Sequence, residues 1–127
     1  MNPGVVIFWK GFTFDDGEKS DKLLVVVGSL PDGARLMLKT TSQFRRWRPD
    51  PDGCHAEASV HRFKQYLAGF KIPTWVQFDP PIIYKLTEIQ AAGAHVLFTL
   101  KPSDLQAIIN CYKKSPDISD ALVKYLK

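Results

Sequence analysis

The stretch DKLLVVVGSLPDGARLMLKTTSQ, residues 21–43, decides the fold. KLLVVVG, residues 22–28, is a continuous apolar run of the kind shown by a strand covered on both faces. SLPDG follows, with Pro31 and Gly33 where turn chemistry wants them. ARLMLKTTS then reads as a returning strand, with Leu36 and Leu38 on one face and Arg35, Met37 and Lys39 on the other. Upstream, GVVIFWKGFTF combines β-branched and aromatic residues, and Gly11 within it predicts a bend or bulge. Polar FDDGEKSD joins it to the run at Lys22. Connections this short predict an antiparallel meander, because parallel strands need long crossovers.

Beyond Gln43 the pattern is less regular. RPDPDG is a loop, and Val60, Phe63 and Leu67 recur at helical spacing, which predicts a short helix there. TWVQF (74–78) and HVLFTL (95–100) read as strands, Pro80-Pro81 as a break, and YKLTEIQAAG as a segment ending at a glycine cap. Ser103-Asp104-Leu105-Gln106 has capping-box character and precedes the stripe Leu105, Ile108, Ile109, Tyr112. A second helix is expected from Ser115-Pro116, with Ile118, Leu122, Val123 and Leu126 as its apolar face. The expected class is α+β: a small antiparallel, partly closed β-barrel with C-terminal helices. All 127 residues make a single domain.

Hydrophobic content of 45% and charged content of 24% are globular averages. No apolar run approaches the roughly 18 residues of a membrane span, and the N-terminus lacks the basic region of a signal peptide, so the expectation is a cytoplasmic protein away from membranes. In a reducing compartment no disulfide is expected between Cys54 and Cys111; the first reads as a turn residue, with a reactive thiol as the alternative, and the second as core. The three histidines, His55, His61 and His95, and the two cysteines show no zinc-finger spacing. Asp15-Asp16 and Asp50/Asp52 read as solvated acidic turns, so neither metal nor cofactor is expected. No phosphate-binding glycine loop or nucleophile elbow is present.

What remains is basic. The net charge of +4 is modest, but residues 35–71 concentrate Arg35, Lys39, Arg45, Arg46, Arg48, Arg62, Lys64 and Lys71. KTTSQFRRWR, residues 39–48, places hydroxyls, guanidiniums and an indole together at the exit of a strand. RNA is cleaved without metal when its 2′-hydroxyl attacks the adjacent phosphate, which requires a proton acceptor, a proton donor and donors for the phosphorane charge. Lys, Arg and Thr can share those roles, and Trp47 can stack a base. The plainer alternative is a solvated loop following ordinary strand residues.

PGVVIFWKGF, SDKLLVVVGS, LMLKTTSQ, IPTWVQF (72–78) and a last helix beginning near Ser103 occur in the order found in the MazF/PemK endoribonuclease toxins, which the chain resembles at a distance. The resemblance covers most of the chain through short motifs. It implies an SH3-like barrel, a metal-independent endoribonuclease acting on single-stranded RNA, a homodimer and a cognate antitoxin protein. Where the family carries Arg-Pro this chain has Lys22-Leu23, and the segment between Gln43 and Ile72 is longer than in compact members. The resemblance makes Lys22 and Thr41 the candidate catalytic residues. The candidate substrate-binding set is Lys39, Ser42, Gln43, Arg45, Arg46, Trp47 and Arg48. The alternative on the same residues is a barrel module that binds nucleic acid or protein without cleaving it.

Overall fold

Strand propensity and short polar turns are realised as expected over the first third of the chain. In the computed structural model, which describes residues 1–14, 16–64 and 69–126, Val5–Thr13 forms β1, Lys19–Ser29 β2 and Ala34–Thr41 β3. The three pair antiparallel in sequence order. Gly11 marks a register shift between Trp9 and Phe12 and adopts φ +67°, a left-handed conformation that favours glycine. Its N–H donates to the Asp21 carboxylate at 2.9 Å, pinning the bend beside the start of the apolar run. The β2–β3 turn closes on Gly33 at φ +84°, and Asp32 accepts from the Ala34 N–H at 3.0 Å.

β3 organises the rest. On its free side, Ala34–Met37 pair with β7 (Ile82–Lys85), while Thr40 and Thr41 pair with β6 (Thr74–Gln77). The strand path is β4 (Gly53–His55), β5 (Val60–Phe63), β6, β3, β2, β1, β8 (His95–Thr99), with β7 branching from β3. The protein is therefore α+β, built on an eight-stranded antiparallel sheet with few helices. Among the described residues the end strands β4 and β8 do not pair, so the sheet is not closed.

Both faces of the central strands are covered, which is why residues 22–28 lack polar alternation. Val25, Val27, Leu36 and Leu38 pack toward α2 (Pro102–Lys114), whose Leu105, Ile108, Ile109 and Tyr112 are all buried. Leu24, Val26 and Met37 face the other way, onto Trp9, Phe12, Ile82 and Ile89. Ile89 comes from α1 (Leu86–Ala91), which ends as expected near Gly93 at φ +76°.

Three sequence expectations change. Val60–Phe63 is a strand, not part of a helix; all four side chains are buried, because both faces of β5 are covered, and this removes the alternation that identifies a strand. Leu67, the third member of the expected helical stripe, lies outside the described residues, as does Asp15. α2 begins at Pro102 after Lys101, without a side-chain cap from Ser103, since proline at the first turn needs no N–H partner. The expected second helix shrinks to α3, Asp120–Val123. After α3 the chain turns back so that Leu126 bridges to Gly28 in β2. No described helix is long and apolar enough to cross a membrane.

The Leu126 bridge explains the glycine. A Cβ on Gly28 would meet the Tyr125 carbonyl oxygen, a backbone atom that cannot rotate away. Gly28→Ala is expected to cost roughly 2 kcal/mol or more, by overpacking and loss of the C-terminal bridge. Urea unfolding measures it, and an unchanged midpoint would show that the C-terminal segment contributes nothing to the fold.

Candidate functional site

Strand register decides which side chains meet. Leu24 pairs with Lys39 across β2 and β3, so Lys22, Leu24, Lys39 and Thr41 project from the same face of the sheet as Met37. The Lys22 ammonium donates to the Thr40 carbonyl oxygen at 3.3 Å, while the Thr40 hydroxyl turns to the opposite face and donates to the Leu23 carbonyl at 2.9 Å. Thr41 accepts from the Gln43 N–H at 3.2 Å, which leaves its own hydroxyl proton to donate elsewhere. Lys22, Thr41, Ser42 and Gln43 line one concavity of about 260 Å³, together with Asp21, Ile72 and Thr74.

Cations crowd this end of the sheet. The ammoniums of Lys22 and Lys39 each lie 5.5 Å from the centroid of the Phe14 ring, within cation–π range. Burial pushes the Lys22 ammonium below the usual lysine range, and the positive charges of Lys39 and Arg48 push it the same way. The direction has a chemical consequence: a larger share of Lys22 is neutral amine near physiological pH, and neutral amine is a base. A carboxylate in place of either neighbouring cation would oppose the effect of burial.

The loop after Gln43 is anchored rather than free. Arg48 donates to the Gln43 carbonyl at 2.6 Å, and its guanidinium lies 5.9 Å from the Trp75 ring centroid. Arg45 donates to the Gln43 side-chain oxygen at 2.8 Å. The Pro49 carbonyl accepts from the Trp75 indole at 2.7 Å. Asp50 takes ion pairs from Arg62 and Lys64, both at 3.1 Å, and those bonds hold its carboxyl below the usual carboxylate range. Arg62 is buried, stacked 3.6 Å from the Trp75 centroid.

This anchoring thins the basic cluster read from the sequence. Arg62 and Lys64 are occupied by Asp50, and Arg35 is bound to the carbonyl oxygens of Met1 and Gly33. Lys22, Lys39, Thr41, Ser42 and Gln43 are brought together, and Arg48 is close enough to act on Lys22. Arg45 and Arg46 lie exposed on the loop. Trp47, 74% exposed, lines a different concavity with Ser59 and Asp117. Phe14 was not singled out in the sequence; its signal was an aromatic at the end of a strand facing two lysines in register, visible only once the β1–β2 and β2–β3 pairings are known.

The loop is also covalently tied. Cys54 in β4 and Cys111 in α2 form a disulfide, with Cα atoms 5.5 Å apart, against the expectation of two independent cysteines. Their separation of 57 residues hid the pairing, because only the burial of β4 and β5 against α2 brings them together.

His61, between these anchors, is buried at 6% exposure with its Nδ1 unpartnered among the described residues, and its ring lies 4.7 Å from Phe63. Burial pushes its pKa below the ordinary histidine value; Asp52 and Asp104 oppose the shift and His55 adds to it. A folded-state pKa below the unfolded one means that the unfolded chain binds the proton first. Stability is then complete above about pH 6.5 and declines as pH falls from there toward the depressed folded pKa. His61→Phe should flatten the melting temperature between about pH 7 and 5, since it removes both the titration and an orphaned nitrogen. An identical pH slope in the variant would assign the effect to other groups.

No family model, curated protein or solved structure matches the chain.

Proposed function

We propose that this protein is a metal-independent endoribonuclease of single-stranded RNA. The observation that carries the reading is the placement of Lys22, its ammonium at the strand end against Thr40 and beside Thr41, with its pKa lowered by burial and by neighbouring cations. In the proposed step neutral Lys22 takes the proton of a 2′-hydroxyl, the 2′-oxygen bonds to phosphorus, and the bond from phosphorus to the 5′-oxygen breaks. Solvent at the open mouth protonates the departing oxygen. The products are a 2′,3′-cyclic phosphate and a 5′-hydroxyl, so atoms and charge balance. Thr41 donates to the phosphorane, and Lys39 and Arg48 offset its charge.

The resemblance to the MazF/PemK toxins extends the proposal to a cytoplasmic homodimer controlled by an antitoxin protein. The branched sheet, in which β3 shares one edge between β6 and β7, is consistent with a partly closed SH3-like barrel. A binding module without catalysis is favoured by one observation: Thr41 is only 7% exposed, so it offers little surface to a reacting phosphate.

The two readings part in one assay. Purified protein is expected to cut unstructured RNA in excess EDTA, and Thr41→Ala to slow cleavage by at least about tenfold. Binding without cleavage selects the module. Cleavage that needs added magnesium removes the proposed chemistry.

A further inference from the structure

A third concavity, of about 490 Å³, opens between the end of β1 and the segment leading into β7, and its lining includes Phe12, Phe14, Lys39, Pro80, Pro81 and Tyr84. Its volume falls in the range of small-ligand sites. The aromatic rings form a supported array. Phe12, buried at 4% exposure, meets Phe14 edge-on at 5.5 Å and Tyr84 at 6.3 Å, while Trp9 packs against Tyr84 at 5.0 Å. Trp9 and Phe12 complete the core on this side, whereas Phe14 and Tyr84 remain only partly covered and Ile83 is 43% exposed. Short rigid rings and two prolines lose little freedom when a ligand arrives, which suits a binding wall better than flexible side chains would.

The array adjoins the cationic strand end. Phe14 is shared, because its ring lies 5.5 Å from both the Lys22 and the Lys39 ammonium. Lys39 lines the aromatic concavity, and Thr41, two residues on along the same strand face, lines the smaller one. An anion held by the two lysines would therefore have a stacking surface within the reach of one nucleotide. A purely apolar occupant would use the rings and leave the lysines without a role. A nucleotide uses both.

We propose that this concavity seats the base of the nucleotide adjoining the phosphate held at Lys22 and Lys39, an inference that rests on the ribonuclease reading above. The lining offers ring faces, the Lys39 ammonium and the Asp16 carboxylate rather than a set of fixed amides. Recognition should accordingly depend on stacking more than on hydrogen-bonded base identity.

The probe is a fluorescently labelled, non-cleavable 2′-O-methyl tetranucleotide, taken in turn as the adenine, cytosine, guanine and uracil homopolymers, with an abasic chain of equal length. Anisotropy titrations give affinity at several salt concentrations. Phe14→Leu is expected to weaken the base-bearing probes about tenfold and to leave the abasic chain and the salt slope unchanged, since it removes a ring face and no charge. Lys39→Met should weaken both kinds of probe and flatten the salt slope by about 0.7. Tyr84→Leu is a second variant at a partly covered position, and circular dichroism confirms folding of each. Equal binding of the base-bearing probes by parent, Phe14→Leu and Tyr84→Leu overturns the base subsite while leaving the phosphate reading standing. A parent protein that binds none of the probes at low salt overturns both.

Discussion

Lys22→Met is expected to lower RNA cleavage by at least about a hundredfold while weakening RNA binding only a few-fold. Methionine keeps an unbranched apolar stem against Phe14 and removes the amine, so loss of packing is a poor explanation for the result. The modest binding loss follows from the geometry: Lys22 is one of several cations at the strand end, and a single partly exposed phosphate contact is screened by solvent and salt. Lys22→Arg separates two roles. Arginine restores the positive charge but does not give up its proton, so it can stabilise the phosphorane and cannot act as base. If Lys22 is the base, the parent's rate rises with pH through a lysine pKa that burial and Lys39 have moved toward neutrality. The arginine variant should retain partial activity and lose that rising limb. Cleavage by Lys22→Met at the parent's rate would leave the binding module as the better account.

The meander and the α2 stripe were legible in the sequence because each rests on local chemistry. Gly33 and Asp32 set the turn, Gly11 the bulge, and Leu105, Ile108, Ile109 and Tyr112 one helical face. Where tertiary burial covers both faces of a short strand, that legibility ends. VHRF carries a buried arginine and a buried histidine among its four residues, and neither period 2 nor period 3.6 describes it. IIYK at β7 is illegible for a related reason: only Ile82 of the four is buried, so the segment shows too little pattern to announce a strand.

The site divides along the same line. Lys22, Thr41, Ser42 and Gln43 come together because two neighbouring strands in register end there, a consequence of a hairpin that the sequence does reveal. The sequence overstates the free positive charge between residues 35 and 64. Composition counts Arg35, Arg62 and Lys64 as available, and the structure assigns each of them a carbonyl or a carboxylate. Adjacency in sequence puts Trp47 at the site, yet the turn at Arg45–Arg48 carries it to another concavity.

Opening the Cys54–Cys111 bond is expected to lower the stability of the oxidised protein by about 4 kcal/mol, which for a domain of this size is roughly 10–15 °C in melting temperature. The magnitude comes from the 57-residue separation: a cross-link of that span removes much of the unfolded chain's freedom. Cys54→Ser is the variant of choice, because Cys54 is exposed and serine there meets solvent, whereas any replacement of Cys111 disturbs a buried position at 1% exposure. The loop itself should stay in place. Pro49 remains bonded to Trp75, and Asp50 remains paired with Arg62 and Lys64, all independently of the sulfurs. Cleavage well below the melting temperature should thus be the same for Cys54→Ser and the oxidised parent, since Lys22 and Thr41 belong to strands the disulfide does not touch. In a reducing cytosol the parent would work as the dithiol, with the stability of the variant. Dithiothreitol should accordingly lower the parent's melting temperature to that of Cys54→Ser and leave the variant's unchanged. If the parent melts at the same temperature with and without reductant, while mass spectrometry shows the thiols free only in its presence, the bond contributes nothing to holding the loop strand against α2.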